Sequence, residues 1–171
     1  MNEPDLAVLR ITDEADIEKI TDWMYAWWGV REGYTREAVR ESMRHSLHDD
    51  RLPQTFGLYR NGTLIGMYQF TAGDLFVRPD IYPWLANVYL DAAYRGRGYG
   101  RVLLSSVQRN AQDAIDAPYL YLFTKHSGLY EKFGWRFAEE IDTHLDVRMQ
   151  RLYRLPLRHA SHTEGETDAN V

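Results

Sequence analysis

The order of apolar and polar positions along the first part of the chain predicts one strand followed by two helices. An apolar run at residues 6–11 is typical of a strand, and Thr12-Asp13 can cap a helix directly after it. Apolar residues then recur every three or four positions, as they do on one face of a helix: Ile17, Ile20, Met24 and Trp27. Thr35 can cap a second helix, whose apolar residues are spaced by four: Val39, Met43 and Leu47. These apolar residues are expected to face the core.

The rest of the chain continues the alternation of strands and helices. Asn61-Gly62 separates two strand-like runs, 55–60 and 63–70, which predicts a hairpin with a type I′ turn. Residues 71–83 hold two prolines and are expected to form a loop. The expected elements after this loop are a strand at 84–90, a helix over about 99–115, a strand at 119–123, a short helix at 127–133 that ends at Gly134, and two antiparallel strands at about 135–141 and 145–154.

Length and composition indicate one soluble domain. The chain has 171 residues, of which 44% are hydrophobic and 26% charged, as in an average globular protein. We expect a single domain over residues 1–155 and a disordered tail over 156–171, because the tail is polar and lacks periodicity. The chain has no cysteine, which excludes a cysteine nucleophile and a thiolate metal site.

Charge and the N-terminal sequence bear on partners and location. A net charge of −5 argues against nucleic acid as the main partner. The N-terminus lacks the basic and apolar regions of a signal peptide, and no stretch is apolar for long enough to span a bilayer. We therefore expect a cytoplasmic protein without a membrane partner.

The segment at residues 87–104 contains the clearest candidate chemistry. An apolar strand ends at Leu90, and a helical stretch follows a turn with the sequence Arg95-Gly96-Arg97-Gly98-Tyr99-Gly100. The first N–H groups of a helix lack intrahelical partners, glycines allow a phosphate to approach, and arginines add positive charge. The spacing fits neither the dinucleotide motif Gly-x-Gly-x-x-Gly nor the P-loop. The turn is therefore predicted to bind an anion, with a pyrophosphate favoured.

Two motifs in this chain resemble those of one enzyme family. Arg95, Gly98 and Gly100 form the pattern Arg-x-x-Gly-x-Gly, which resembles the acetyl-CoA pyrophosphate loop of the GNAT superfamily of N-acetyltransferases. Residues 128–135, Gly-Leu-Tyr-Glu-Lys-Phe-Gly-Trp, resemble the family's Leu-Tyr-Glu-Lys-x-Gly-Phe signature after the fifth strand. The order of expected elements over residues 6–154 also matches. The resemblance implies an α/β GNAT fold, a mixed central sheet of about seven strands with helices on both faces, splayed between strands 4 and 5.

The resemblance also implies an activity and a set of site residues. It implies an N-acetyltransferase that uses acetyl-CoA as co-substrate and needs no metal, with the amine of a small molecule or a peptide attacking the thioester directly. Tyr130 would act as general acid and protonate the departing CoA thiolate. The residues that would bind the cofactor through the strand, the loop and the start of the helix are Val88, Tyr89, Leu90, Arg95, Gly96, Arg97, Gly98, Tyr99, Gly100 and Arg101.

The general base and the acceptor site are less well defined. Some family members use a glutamate at the start of the fourth strand, where this chain has Trp84 and no carboxylate as far as Leu90. A water chain is one alternative, and the candidate side chains are Asp74, Asp80, Glu32 and His45, of which we favour Asp74 because it follows the third strand. The first two helices are rich in aromatic residues, which suggests the candidate acceptor-binding residues Trp28, Tyr34 and Trp84.

Other functions are compatible with parts of the sequence. A non-catalytic module that senses acyl-CoA is the main alternative, because the fourth strand lacks a carboxylate. An RNA-binding module that uses the arginine–glycine segment is disfavoured by the acidic composition. The sequence does not identify the acceptor, and C-terminal edge strands could pair in a homodimer.

Overall fold

The sheet contains seven strands, and the computed structural model describes it within residues 4–158. The strands are β1 (Leu6–Arg10), β2 (Gln54–Arg60), β3 (Thr63–Thr71), β4 (Trp84–Leu90), β5 (Tyr119–Thr124), β6 (Arg136–Ile141) and β7 (Gln150–Pro156). The α-helices are α1 (Glu14–Met24), α2 (Arg36–Arg44), α3 (Tyr99–Ser105) and α4 (Val107–Ala114). Short 3₁₀ turns occur at Ala92–Tyr94 and Tyr130–Phe133. None of the helices within the described range is both long and apolar enough to cross a membrane.

The strands lie in the order β1-β2-β3-β4-β5-β7-β6. Neighbouring strands are antiparallel except β4 and β5, which are parallel. Helices cover both faces, because alternate residues of β3 pack against different helices. Tyr68 and Phe70 lie in the core that α3 and α4 cover, whereas Leu64 and Met67 lie in the core that α1 and α2 cover. This arrangement confirms the predicted fold class.

The first two helices form as their sequences predict. Asp13 caps α1 by accepting a hydrogen bond from Ala15 N, and Thr35 caps α2 by accepting one from Ala38 N. The apolar faces of both helices are buried as expected: Ile17, Ile20, Met24, Val39 and Met43. Ion pairs between Arg36 and Arg40 on α2 and Glu18 on α1 join the two helices on their outer side.

The end of α1 differs from the prediction. The chain continues from α1 into a π-helical turn at Tyr25–Gly29, in which Val30 N donates to Tyr25 O at 3.0 Å. The wider turn rotates Trp27 out of the apolar face, so this residue is 48% exposed rather than part of the core as its spacing suggested. Gly29 permits the turn to approach α2, since a Cβ there would lie 3.0 Å from Val39 Cγ2.

The central part of the chain follows the predicted pattern closely. Asn61 and Gly62 have φ values of 48° and 76°, as a type I′ hairpin turn requires. The helix expected over 99–115 is interrupted at Ser106, whose hydroxyl donates to Leu103 O at 2.8 Å. The short helix expected at 127–133 is limited to the 3₁₀ turn Tyr130–Phe133. Gly134 follows this turn with a φ of 87°, which confirms its predicted left-handed conformation.

The C-terminal strands pair antiparallel as predicted, but their boundaries differ. β7 begins at Gln150 rather than near residue 145, although Leu145 and Val147 alternate with polar residues. The segment before β7 forms a loop instead, because the side chains of Asp142 and Thr143 accept hydrogen bonds from backbone N–H groups two residues ahead. β7 includes Pro156, and Leu157 is buried, so the domain extends past the predicted boundary at 155. The predicted disordered tail otherwise falls on residues 159–171, which lie outside the described range.

Candidate active site

A gap lies between the two parallel strands at the centre of the sheet. β4 and β5 pair at Trp84↔Tyr121, and Tyr121 N donates to Pro83 O at 3.0 Å. Beyond Trp84, the described residues provide no strand partner for β4 on this side. β5 pairs with β7 along its whole length on its other edge, so the interruption of the sheet lies between β4 and β5. The backbone of β4 facing the gap is therefore available to pair with an extended ligand.

A bulge marks the point where β4 leaves its regular pairing. Residues opposite β3 change register between the pairs Gln69↔Ala86 and Met67↔Tyr89, and Asn87 has a φ of 52°. A positive φ is uncommon for a residue other than glycine, although asparagine tolerates it better than most. After the bulge, Val88 packs against the core beneath α3 and Tyr89 against the core beneath α1.

The glycine-rich turn lies between the end of β4 and the start of α3. Gly96 and Gly98 have φ values of 74° and 83°, which makes both positions unfavourable for other residues. Gly98 is the N-cap of α3 and supplies no side-chain cap, so backbone N–H groups of the first helical turn keep unused donors. A Cβ at Gly96, Gly98 or Gly100 would meet no atom within 4 Å, which means that the turn is open to solvent on this side.

The arginines of the turn divide into one fixed and two free side chains. Arg95 Nε donates to Leu90 O at 2.9 Å, and its guanidinium lies 5.4 Å from the centre of the Tyr89 ring. Arg97 and Arg101 are exposed and form no salt bridge with any residue in the range 4–158. The turn therefore combines open backbone donors with available positive charge, as a phosphate ligand requires.

Tyr130 lies in the 3₁₀ turn after β5, against the same core that Val88 contacts. Its side chain is buried, and desolvation raises the pKa of its phenol above the ordinary value of 10. The ring packs edge-on to Trp135 at a centroid distance of 6.0 Å. The hydroxyl has no hydrogen-bond partner among the described residues, and it is not sealed from solvent. Tyr130 is thus a protonated donor at neutral pH.

Asp74 has the most perturbed carboxylate among the four base candidates. The side chain is accessible to solvent, yet the protein atoms around it remove part of its hydration. This desolvation, together with repulsion from the negative charge of Glu32, raises the pKa of Asp74 to about 6. Asp74 lies in the loop between β3 and β4, and the neighbouring Leu75 packs in one cluster with Trp84, where β4 and β5 are paired.

Each of the other base candidates lies beside an ionisable side chain. Arg78 donates to both oxygens of Asp80 at 2.9 Å and holds the pKa of that carboxyl below its ordinary value. Glu32 accepts from Arg31, and His45 lies 3.3 Å from Glu41 at the exposed end of α2. Asp80 is therefore a weaker base than an ordinary aspartate, whereas Asp74, with its raised pKa, is a stronger one.

The structure separates the three predicted acceptor residues. Trp28 and Tyr34 lie together, edge-on at a centroid distance of 6.0 Å, and Tyr34 is 52% exposed. Trp84 is fully buried instead, packed with Leu75 and Ile141, and its indole donates to Ile81 O at 2.9 Å. Trp84 is therefore a core residue at the point where the gap begins, and its side chain does not line a cleft.

A polar chain that the sequence analysis missed links this aromatic pair to β4. Trp28 Nε1 donates to Asn87 Oδ1 at 3.2 Å, and Asn87 Nδ2 donates to Gln69 Oε1 at 2.7 Å. Gln69 Nε2 then donates to Thr55 Oγ1 at 2.8 Å. The sequence signals were single polar residues inside two apolar strands, Asn87 in β4 and Gln69 in β3. Within the described residues, no group of three His, Asp or Glu side chains is placed to hold a metal ion.

Comparison with known proteins agrees with this geometry. The model of the acetyltransferase (GNAT) family matches residues 17–135. No curated protein sequence matches. Many solved structures share the fold, and one is RimL, a ribosomal L7/L12 alpha-N-protein acetyltransferase in complex with coenzyme A. It is 12% identical, with 89% of this chain and 94% of that chain covered and a TM-score of 0.65.

Two further similar structures have the same fold. An acetyltransferase of the GNAT family from Streptococcus pneumoniae is 15% identical, with 90% and 100% of the two chains covered and a TM-score of 0.66. The ribosomal-protein-S18-alanine N-acetyltransferase from Escherichia coli is 16% identical, with 93% and 98% covered and a TM-score of 0.63. Because the sequence identities are low, the similarity to these structures establishes the fold that surrounds the site.

Proposed function

The chain belongs to the acetyltransferase (GNAT) family, and we propose that it transfers an acetyl group from acetyl-CoA to a primary amine by direct attack. The observation that supports this proposal is that the gap beside β4 is continuous with the glycine-rich turn. β4 borders the gap along one side and leads directly into the turn at 95–100. A ligand with an extended amide-containing arm and a pyrophosphate can therefore use both features at once.

The strand and the turn divide the binding of acetyl-CoA between them. The backbone at Val88, Tyr89 and Leu90 pairs with the amides of the pantetheine arm, which lies in the gap like a short additional strand. Backbone N–H groups of residues 95–100 and the side chain of Arg101 hold the pyrophosphate. This assignment is supported by the open space at the three glycines and by the free charge of Arg97 and Arg101.

The acetyl transfer itself needs a proton donor and a proton acceptor. Acetyl-CoA supplies an activated thioester, whose carbon forms a bond to the amine nitrogen while the carbon–sulfur bond breaks. A backbone N–H near Val88–Leu90 stabilises the negative charge on the carbonyl oxygen. Tyr130 is protonated at neutral pH, since its pKa lies above the ordinary value of 10, and it donates its proton to the departing thiolate. The electron pair of the broken bond thus ends on sulfur, in the S–H bond of the CoA thiol.

Asp74 receives the proton that the amine must lose. An amine acceptor is mostly protonated at neutral pH, so a base has to act before or during the attack. A carboxylate with a pKa of about 6 is ionised at pH 7 and is a stronger base than an ordinary aspartate. The nearby charge of Glu32 also favours a cationic acceptor at this end of the gap.

The acceptor is a small-molecule or peptide amine. The aromatic pair of Trp28 and Tyr34 provides a surface on which an ammonium group or an apolar side chain can pack. Peptide N-termini are among the candidates, because two proteins that share this fold are N-acetyltransferases of ribosomal proteins. A small diamine is the alternative that the acidic residues near the gap favour.

Thiol release from acetyl-CoA in the presence of an amine panel tests the proposal. The panel contains polyamines, amino acids, amino sugars and short peptides with free N-termini, and acetylated products are identified by mass spectrometry. We expect amine-dependent thiol release with at least one class. Tight CoA binding by calorimetry without amine-dependent release from any class would instead support the acyl-CoA sensor. No CoA binding would contradict both functions.

A further inference from the structure

The hydrogen bonds of the polar chain behind the bulge all run in the same direction, from donor to acceptor. Each group donates to the next: Trp28 Nε1 to Asn87, Asn87 to Gln69, Gln69 to Thr55, Thr55 to Ser46, and Ser46 to the carbonyl of Met43. The distances lie between 2.6 and 3.2 Å. This chain of hydrogen bonds begins on the π-helical turn, crosses β4, β3 and β2, and ends near the last turn of α2.

The middle of this chain is deeply buried. Thr55 and Ser46 are fully buried, and Gln69 is 3% exposed. A buried polar group that loses its partner costs about 1–3 kcal/mol, so each member is held in one orientation by the next. Because the final acceptor is a main-chain carbonyl, the direction of the chain is fixed, and with it the orientation of the two side-chain amides.

Asn87 is the only member that belongs to the proposed acetyl-transfer site through its backbone. Its φ of 52° shapes the bulge that precedes Val88, Tyr89 and Leu90. Its side chain simultaneously accepts from Trp28, which carries the aromatic surface proposed for the acceptor. One residue therefore connects the strand that would contact the thioester with the wall that would contact the amine.

We propose that Asn87 is a positioning residue of the acetyl-transfer site, which fixes the β4 bulge and the Trp28 indole relative to each other. This inference rests on the proposed function. The residue does not move a proton, because a side-chain amide is neither an acid nor a base at neutral pH. Its contribution is to hold the bound thioester and the attacking amine in a reactive geometry, and a displacement of about 1 Å at such a site can cost about a hundredfold in rate.

Asn87→Gly is the variant that tests this role. Glycine tolerates the positive φ, so the backbone shape of the bulge is retained while both side-chain hydrogen bonds are lost. Asn61→Gly is the matched control, because Asn61 also has a positive φ (48°) and a side-chain hydrogen bond, but lies in the β2–β3 hairpin. Trp28→Phe is the second variant, since it removes the indole donor together with the five-membered ring and keeps a smaller aromatic ring.

The indole N–H resonances in NMR spectra of the isotope-labelled protein give a readout besides activity. The chain has five tryptophans, and the missing signal in Trp28→Phe assigns the signal of Trp28. In the wild type, added CoA should shift this signal, because the bulge lies between the indole and the gap. In Asn87→Gly, the signal should move to the position of an indole without a protein partner and no longer respond to CoA.

The kinetic expectation separates positioning from folding and from binding. In Asn87→Gly, kcat for amine-dependent thiol release should fall at least about tenfold, with the KM for acetyl-CoA changed by less than about threefold. Asn61→Gly should retain wild-type kcat. The effects of Asn87→Gly and Trp28→Phe should not add in the double variant, because both remove the same contact.

Each of the following results would overturn the positioning role of Asn87. If the wild type binds CoA and Asn87→Gly keeps both its turnover and the Trp28 signal, the positioning role is wrong. If Asn87→Gly does not fold, Trp28→Phe with unchanged kcat overturns it equally. If the wild type neither binds CoA nor releases thiol, the proposed function fails, and the role of Asn87 in it fails as well.

Discussion

The two flanks of β4 differ in their pairing. Towards β3, the strand pairs along its length, from Thr71↔Trp84 to Gly66↔Leu90, with the bulge as the one irregularity. Towards β5, pairing occurs at Trp84↔Tyr121. On the side that pairs with β3, the sheet carries buried residues on both faces. On the side without a continuous strand partner, β4 borders the gap, and its end continues into the glycine-rich turn. The difference indicates that the two sides of one strand serve different purposes, stability on one side and ligand binding on the other.

This comparison predicts that substitutions on the two flanks have separable effects. A change at the open flank or its catalytic neighbours should alter turnover or CoA affinity and leave folding nearly intact. A change within the paired part of the sheet should alter the free energy of unfolding and leave CoA affinity intact in the folded protein.

The largest effect is expected for Tyr130→Phe. Removing the hydroxyl takes away the proton donor but keeps the packing against Trp135. General acid catalysis contributes about 10²–10⁴-fold, so kcat should fall by about a hundredfold or more, with little change in the KM for acetyl-CoA. Steady-state kinetics measure both quantities.

Tyr119→Phe is the control for this substitution, because Tyr119 lies at the opposite end of β5, where it pairs with Pro156. It should retain wild-type kcat. Wild-type kcat in Tyr130→Phe at saturating substrates would exclude Tyr130 as the acid.

Leu58→Ala tests the paired part of the sheet. Leu58 is fully buried on β2, and truncation of such a residue costs about 2–5 kcal/mol in the free energy of unfolding. Denaturant titration should show this loss, while calorimetry at a temperature where the variant is folded should show an unchanged CoA affinity. A parallel loss of CoA affinity would mean that the two flanks are not independent.

Gly98→Asp tests the open flank at the turn. The aspartate would place a side chain and a negative charge where the pyrophosphate is proposed to bind. CoA affinity should fall at least tenfold, about 1.4 kcal/mol, as measured by calorimetry.

Gly62→Asp is a matched control, because Gly62 has a similar φ of 76° and equally open surroundings, but lies in the β2–β3 hairpin. Both variants introduce similar backbone strain, so only the position differs. Equal CoA affinities in the two variants would refute the proposed phosphate site.

A smaller effect is expected from the titration of Asp74. Desolvation in the folded protein raises the pKa of Asp74 from its ordinary value of 3.8 to about 6, so the folded state binds a proton more tightly than the unfolded state. Asp74 should therefore contribute stability as the pH falls from 7 to 5, so the stability of the wild type relative to Asp74→Asn should increase over this range. Thermal denaturation at the two pH values measures the difference.

The same group governs the expected pH dependence of activity. If Asp74 accepts the amine proton, kcat/KM should rise as the pH increases through about 6, and Asp74→Asn should lose this step. Asp80→Asn is the control, because the pKa of Asp80 is lowered and the group stays ionised over this range. A wild-type pH profile in Asp74→Asn would favour the water chain as the proton acceptor.

Much of the fold could be predicted from local sequence patterns. Asn61-Gly62, the caps Asp13 and Thr35, and the glycines of the turn each act through the backbone conformation of their own segment, which their residue types determine. The family motifs added the order of the strands and the splay, which no local pattern contains.

Other features depend on contacts between distant segments and could not be predicted. The exposure of Trp27 follows from a π-helical turn that packs closely against α2 through Gly29. The burial of Trp84 depends on the β3–β4 loop and on β6, which cover it. The raised pKa of Asp74 and the polar chain through Asn87 likewise arise only when separate elements meet.

A crystal structure of the protein with CoA tests the central claim most directly. The account predicts that the pantetheine arm lies between β4 and β5, paired with the backbone at Val88–Leu90, and that the pyrophosphate contacts the N–H groups of residues 95–100. CoA bound elsewhere on the protein, with β4 and β5 still diverging around an empty gap, would contradict it.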